Sequence, residues 1–100
     1  MEYVRAVSVK EVPPGTMKPV RLSGIDILII NTGKNFYAIE DRCPHMHAML
    51  SYGTLRGNAI QCMNHGAVFN LPTGMPDSIT DRQLVKFEVK VEEENLYVLL

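Results

Sequence analysis

Two short motifs constrain this chain more than anything else in it. Cys43-Pro44-His45 and Cys62-Met63-Asn64-His65 contain its only two cysteines and two of its three histidines, with 16 residues between His45 and Cys62. Thiolate is a soft metal donor, and imidazole suits zinc and iron alike. Each motif follows a probable strand, and if those two strands lie side by side their outgoing loops project together and bring two thiolates and two imidazoles to one place. Ligand chemistry alone leaves a tetrahedral Cys2His2 zinc site and an iron-sulfur centre both open. The bland alternative is a buried cysteine pair with two structural histidines.

The neighbours refine the choice. Pro44 fixes its own φ and pushes Cys43 into an extended conformation, which stiffens the first loop. Gly66, directly after His65, removes a side chain where the backbone has to approach something closely. Successive amides in such loops can form an anion-binding concavity, suited to a bound object that carries sulfides. Met46, Met49, Leu50, Met63 and Val68 offer soft apolar cover, which a redox centre needs more than a closed structural zinc site does. His47 lies outside both motifs and reads as an exposed loop residue.

Around this segment the chain reads as strands. The stretch "QLVKFEVKV" alternates Leu84/Val85, Phe87, Val89 and Val91 with Lys86, Glu88 and Lys90, a strand with one buried and one wet face. "NLYVLL" follows across a hairpin at Glu92 to Asn95, and "IDILII" is apolar on both faces, as a doubly covered strand should be. "NFYAIED" follows a turn at Thr32-Gly33-Lys34. "YVRAV" and "TMKPVRL" supply strands nearer the start, separated by one helical turn with Ser8 and Glu11 at capping-box spacing. "TLR" and "AIQC" flank a tight turn at Gly57-Asn58. Seven to nine short strands broken by Gly, Pro and Asn predict an all-β antiparallel sandwich or partly open barrel, with an inserted site at about residues 43–69 on a scaffold of 1–42 and 70–100. Tyr3, Tyr37, Tyr52 and Tyr97 read as packing residues. Arg42 and Arg56 read as solvated surface charge beside the site.

Bulk properties exclude several classes. One hundred residues make one domain, and a net charge of −1 with scattered signs gives no nucleic-acid footprint. No apolar run approaches the roughly 20 residues that span a bilayer. The start of the chain has no signal-peptide pattern, so the expectation is a soluble cytoplasmic protein whose thiols stay reduced. Catalytic triads and glycine-rich phosphate loops are absent from the sequence.

The segment "CPHMHAMLSYGTLRGNAIQCMNHGAVFNLPTG" resembles the cluster-binding segment of Rieske-type ferredoxins, matching C-x-H and C-x-x-H-G at every ligand position. The resemblance covers about a third of the chain. It implies that Cys43 and Cys62 hold one iron of a single 2Fe-2S cluster and that His45 and His65 hold the other. In "LPTG", Pro72 and Gly74 stand where a type I turn wants them, and Met75-Pro76 resembles the family's third loop, which covers the cluster. Respiratory members have an inter-loop disulfide where Ala48 and Asn64 stand here, and Ser and Tyr hydroxyls where Ala67 and Phe69 stand. Without those hydrogen bonds the reduced cluster is less stabilised, which implies a potential at the low end of the range, about −150 mV rather than +300 mV.

The resemblance further implies a small electron carrier between a ferredoxin reductase and an oxygenase or other acceptor, rather than an enzyme. His45 and His65 would face outward as the exit path, and their ring nitrogens would make the potential pH-dependent at alkaline pH. The rival from another class is a non-redox zinc module serving as a binding surface. A complete oxygenase would need a separate iron held by two His and a carboxylate, and only His47 is left over.

Overall fold

The computed structural model describes residues 1–44, 48–63, 66–77 and 82–100. Among them the chain forms ten short strands in three antiparallel open sheets, with two single 3₁₀ turns and no longer helix. This is the all-β antiparallel architecture expected from the pattern of strands and turns.

The central strand is β3 (Ile25–Asn31), paired on one side with β2 (Thr16–Leu22) and on the other with β4 (Phe36–Glu40). Its residues Ile27, Leu28, Ile29 and Ile30 are all fully buried, as their uninterrupted apolar run requires. Side chains alternate across a strand, so this one element faces two cores. Ile27 and Ile29 pack with Val7, Val12, Leu96 and Val98. Leu28 and Ile30 pack with Cys43, Cys62, Ile60 and Phe69.

The first core is closed by a second sheet, in which β10 (Asn95–Leu99) lies between β1 (Tyr3–Ser8) and β9 (Val89–Glu92). The single turn Val9–Glu11 links β1 towards β2 with a full capping box. The Ser8 side chain accepts from Lys10, and the Ser8 amide donates to Glu11.

The second core is closed by a small sheet of β5 (Thr54–Arg56), β6 (Ala59–Gln61) and β7 (Val68–Asn70). Gly57 takes φ +60° in the β5–β6 turn, where a left-handed residue is needed. Gly53, just before β5, serves a different purpose: a Cβ there would stand 2.2 Å from the Gln61 carbonyl oxygen.

The run "QLVKFEVKV" departs from its sequence reading. It splits at Glu88 into β8 (Lys86–Phe87), which pairs with β4, and β9, which pairs with β10. The segment therefore crosses from one sheet to another, and Glu88 keeps a backbone bond by accepting from Leu99 at 2.8 Å. Val85 and Val91, expected inside, are exposed: Val85 precedes β8, and Val91, although on the same face as the partly buried Val89, stands near the end of β9 beside the turn.

Candidate functional site

The two cysteines leave strands of different sheets. Cys43 lies beyond β4 in the four-stranded sheet and Cys62 directly after β6 in the small one. The two strands therefore do not lie side by side, the condition under which adjacency alone would join the motifs. What brings the thiols together is packing of the small sheet over β3, which buries both cysteines in one cluster with Leu50, Ala67 and Phe69.

Each cysteine opens a turn closed in the same way. The Cys43 amide donates to the Ala48 carbonyl at 2.8 Å, and the Cys62 amide donates to the Ala67 carbonyl at 2.7 Å. Both bonds span five residues, so the two motifs are loops of matched size although their Cys-to-His spacings differ. Each loop also has a polar brace. Asp41 Oδ1 accepts from the Ser51 amide at 2.7 Å, tying the entry of the first loop to its return. Gln61 Nε2 donates to the Gly66 carbonyl at 3.5 Å, and its Oε1 accepts from Arg56 at 2.9 Å. Gly66 has φ +69°, a conformation that suits glycine.

A third segment backs the second loop. Asn70 donates to Met75 and Asp77 donates to Val68, so 75–77 run alongside β7, with Pro76 bridged to Phe69. The turn between starts one residue earlier than "LPTG" suggested. Gly74 donates to the Asn70 carbonyl at 2.6 Å, and Asn70 Oδ1 accepts from Thr73 at 2.9 Å. Arg82 reaches back to the Pro44 carbonyl at 3.5 Å.

Of the expected ligands, Cys43 and Cys62 are each only 1% exposed. His45 and His65 lie outside the described residues, as do Met46, His47 and Asn64. Ala67 and Phe69, read as lacking the family's hydroxyls, are fully buried in the same cluster as the cysteines. The apolar cover is divided: Leu50 is buried, whereas Met49 and Met63 are exposed at 36% and 61%. Tyr52, expected to pack, is 70% exposed on the turn Leu50–Tyr52. Arg42 and Arg56 are exposed, as surface charges should be. Asp41, Ser51 and Gln61 escaped the sequence reading. Asp41 stands ten residues from its partner, too far for any local capping signal.

Two buried thiols in matched, braced loops suit a group that takes soft ligands in a dry setting. These features are compatible with a metal-cluster module carried on an antiparallel β scaffold, although the two cysteines alone make no complete ligand set among the described residues.

The chain belongs to the Rieske 2Fe-2S domain family, whose model matches residues 2–96. Membership assigns one Rieske-type 2Fe-2S cluster and sets aside the zinc module. The chain is 40% identical over 98 residues to ferredoxin CarAc of Metapseudomonas resinovorans, covering 96% of this chain and 92% of that protein. It is 36% identical to the 3-phenylpropionate/cinnamic acid dioxygenase ferredoxin subunit of Escherichia coli (strain K12), covering 98% and 93%. To apoptosis-inducing factor 3 of Homo sapiens it is 37% identical over 90% of its own length, but it spans only 15% of that protein. A solved complex of reduced oxygenase and oxidized ferredoxin in carbazole 1,9a-dioxygenase contains a chain that superposes with a TM-score of 0.88 at 40% identity, covering 96% of this chain and 91% of that one.

Proposed function

We propose that this protein carries single electrons on its cluster from a ferredoxin reductase to an oxygenase, with Cys43 and Cys62 holding one iron and His45 and His65 the other. The observation that carries the reading is the pair of buried thiols in loops closed by equivalent amide-to-carbonyl bonds. When bound, the cluster supplies a site that accepts and releases one electron. The residues of the chain do the rest. Leu50, Ala67 and Phe69 keep water from the thiol side, and the braces at Asp41 and Gln61 hold the loops at fixed spacing.

Residues 1–100 act as one domain, with 43–69 carrying the cluster and 1–42 and 70–100 forming the scaffold. Among the described residues no helix is long and apolar enough to cross a membrane. The working compartment is the cytoplasm, where two reduced thiols persist. The oxygenase assignment draws on the ferredoxin relatives and on the solved oxygenase–ferredoxin complex. The relatives named as ferredoxins and dioxygenase ferredoxin subunits support reading the protein as a component of a redox system rather than its enzyme.

The buried positions 67 and 69 carry Ala and Phe, so neither offers a side-chain hydroxyl donor, which keeps the potential at the low end, about −150 mV. A spectroelectrochemical titration tests the reading. A reversible one-electron wave near that value is expected; a two-electron or irreversible response, or none, would contradict it.

A further inference from the structure

The chain leaves β7 through a turn that is gripped by a side chain of the scaffold. Lys86, the first residue of β8, pairs with Ile39 of β4 in the four-stranded sheet. Its Nζ donates to the Pro72 carbonyl at 2.5 Å, 14 residues back along the chain, and lies 5.5 Å from the centroid of the Tyr37 ring. The stem of Lys86 passes over Gly74, where a Cβ would stand 3.2 Å from Lys86 Cδ and 3.5 Å from Cγ. Gly74 also takes φ +77°, so both its backbone and its neighbour favour glycine there.

A single exposed ammonium on a carbonyl is a weak tie, because water competes for both partners. Here a carbonyl, a ring face and a glycine surface converge on one side chain, and each belongs to a part of the site region. Tyr37 packs, partly buried, against the cluster of side chains that contains Cys43 and Cys62. Gly74 donates to the Asn70 carbonyl at 2.6 Å and accepts from the Leu84 amide at 2.9 Å, and Leu84 is buried in that same cluster. Beyond Gly74, residues 75–77 run alongside β7, with Pro76 bridged to the fully buried Phe69. The turn under Lys86 is therefore the near end of the segment that backs the second cysteine loop. An apolar residue at 86 would serve the pairing with Ile39 equally well. What lysine adds is the reach from scaffold to turn.

We propose that Lys86 is a positioning residue, which latches the 71–74 turn to the scaffold and so holds residues 75–77 against β7, behind the loop that starts at Cys62. The inference rests on the electron-carrier reading above. A carrier that gains and loses an electron works best when its ligand loops keep one geometry in both states, and a backed loop has less freedom to rearrange.

The test is Lys86→Met in the full chain, which keeps the length of the stem and removes the ammonium. Amide hydrogen exchange, iron and sulfide content and the EPR spectrum of the reduced protein are read together. Exchange over 70–77 should rise about fivefold while exchange over 25–40 stays at the wild-type rate, and the reduced EPR lines should broaden with cluster content unchanged. Lys86→Arg, whose guanidinium can donate to the same carbonyl and stack on the same ring, should restore both signals. Tyr37→Leu leaves the lysine in place and should give the same regional pattern at smaller size, which carries the test should Lys86→Met fail to fold. Unchanged exchange over 70–77 in Lys86→Met would overturn the inference and leave the electron-carrier reading in place. An equal rise over 25–40 would overturn it too, because Lys86 would then support the scaffold as a whole. Wild-type protein without iron and sulfide would overturn the electron-carrier reading, and this inference with it.

Discussion

Strand β3 and the small sheet β5–β7 share one core, yet different forces hold them. Ile27 to Ile30 are fully buried between two layers, and each such side chain contributes about 1.5–3 kcal/mol of burial. The strands of the small sheet are three residues each, and only Ile60 and Phe69 among them are fully buried. That sheet depends more on backbone closures, such as Cys62 to Ala67 and Leu71 to the Asn58 carbonyl. The lesson is a division of labour. The scaffold stores stability in apolar area, while the site region trades area for exact placement of a few polar groups and ligands.

Substituting a cysteine proposed as a ligand should give the largest effect and should split the two regions. Cys62→Ser is expected to abolish iron and sulfide binding completely. Amide hydrogen exchange should then show protection lost over 54–70 but retained over 25–40. Uniform loss across both would show that the scaffold has no independent stability.

A cavity in the scaffold should do the reverse. Ile29→Ala removes a fully buried side chain from the core on the far side of β3 and should cost about 3 kcal/mol, lowering Tm by about 15 °C. The reduced EPR signal should be unaltered in the folded protein. A changed signal would mean that the two cores are coupled through β3.

Gly53→Ala sharpens the contrast by steric means alone. Gly53 has φ −82°, which any residue can adopt, but the new Cβ would meet the Gln61 carbonyl oxygen at 2.2 Å. Displacing β5 from β6 should cost about 2 kcal/mol, with exchange protection reduced first in the small sheet.

The smallest effect is expected at the β9–β10 hairpin. Glu93 and Glu94 sit at φ +51° and +66°, a turn that prefers Asn-Gly. The double change Glu93→Asn, Glu94→Gly should stabilise the chain by about 1 kcal/mol by relieving that strain, measured by denaturant midpoint, without altering the potential.

The scaffold was legible because its forces leave periodic marks. The all-apolar run of β3, the Ser8/Glu11 cap and the Gly57-Asn58 turn each predicted their element. The break at Glu88 was not legible. Apolar residues keep alternating through Phe87 and Val89 while the hydrogen-bond partner changes from β4 to β10, and side-chain period carries no information about which sheet a strand joins. In the site region the ligand spacing was informative and little else was. Cys43 and Cys62 are buried together as the motif implied, but through packing of one sheet on another rather than strand adjacency. The Asp41–Ser51 brace depends on tertiary closure of a ten-residue separation, which no local pattern records.

The central claim is that the matched loops hold a 2Fe-2S cluster with mixed Cys/His ligation. The most direct test is visible absorption and low-temperature EPR of anaerobically purified protein before and after dithionite, with iron, sulfide and zinc assayed on the same sample. A red-brown protein with equal iron and sulfide, whose reduced form gives the low average g of mixed ligation, is the predicted result. A colourless protein with stoichiometric zinc under those conditions would contradict it.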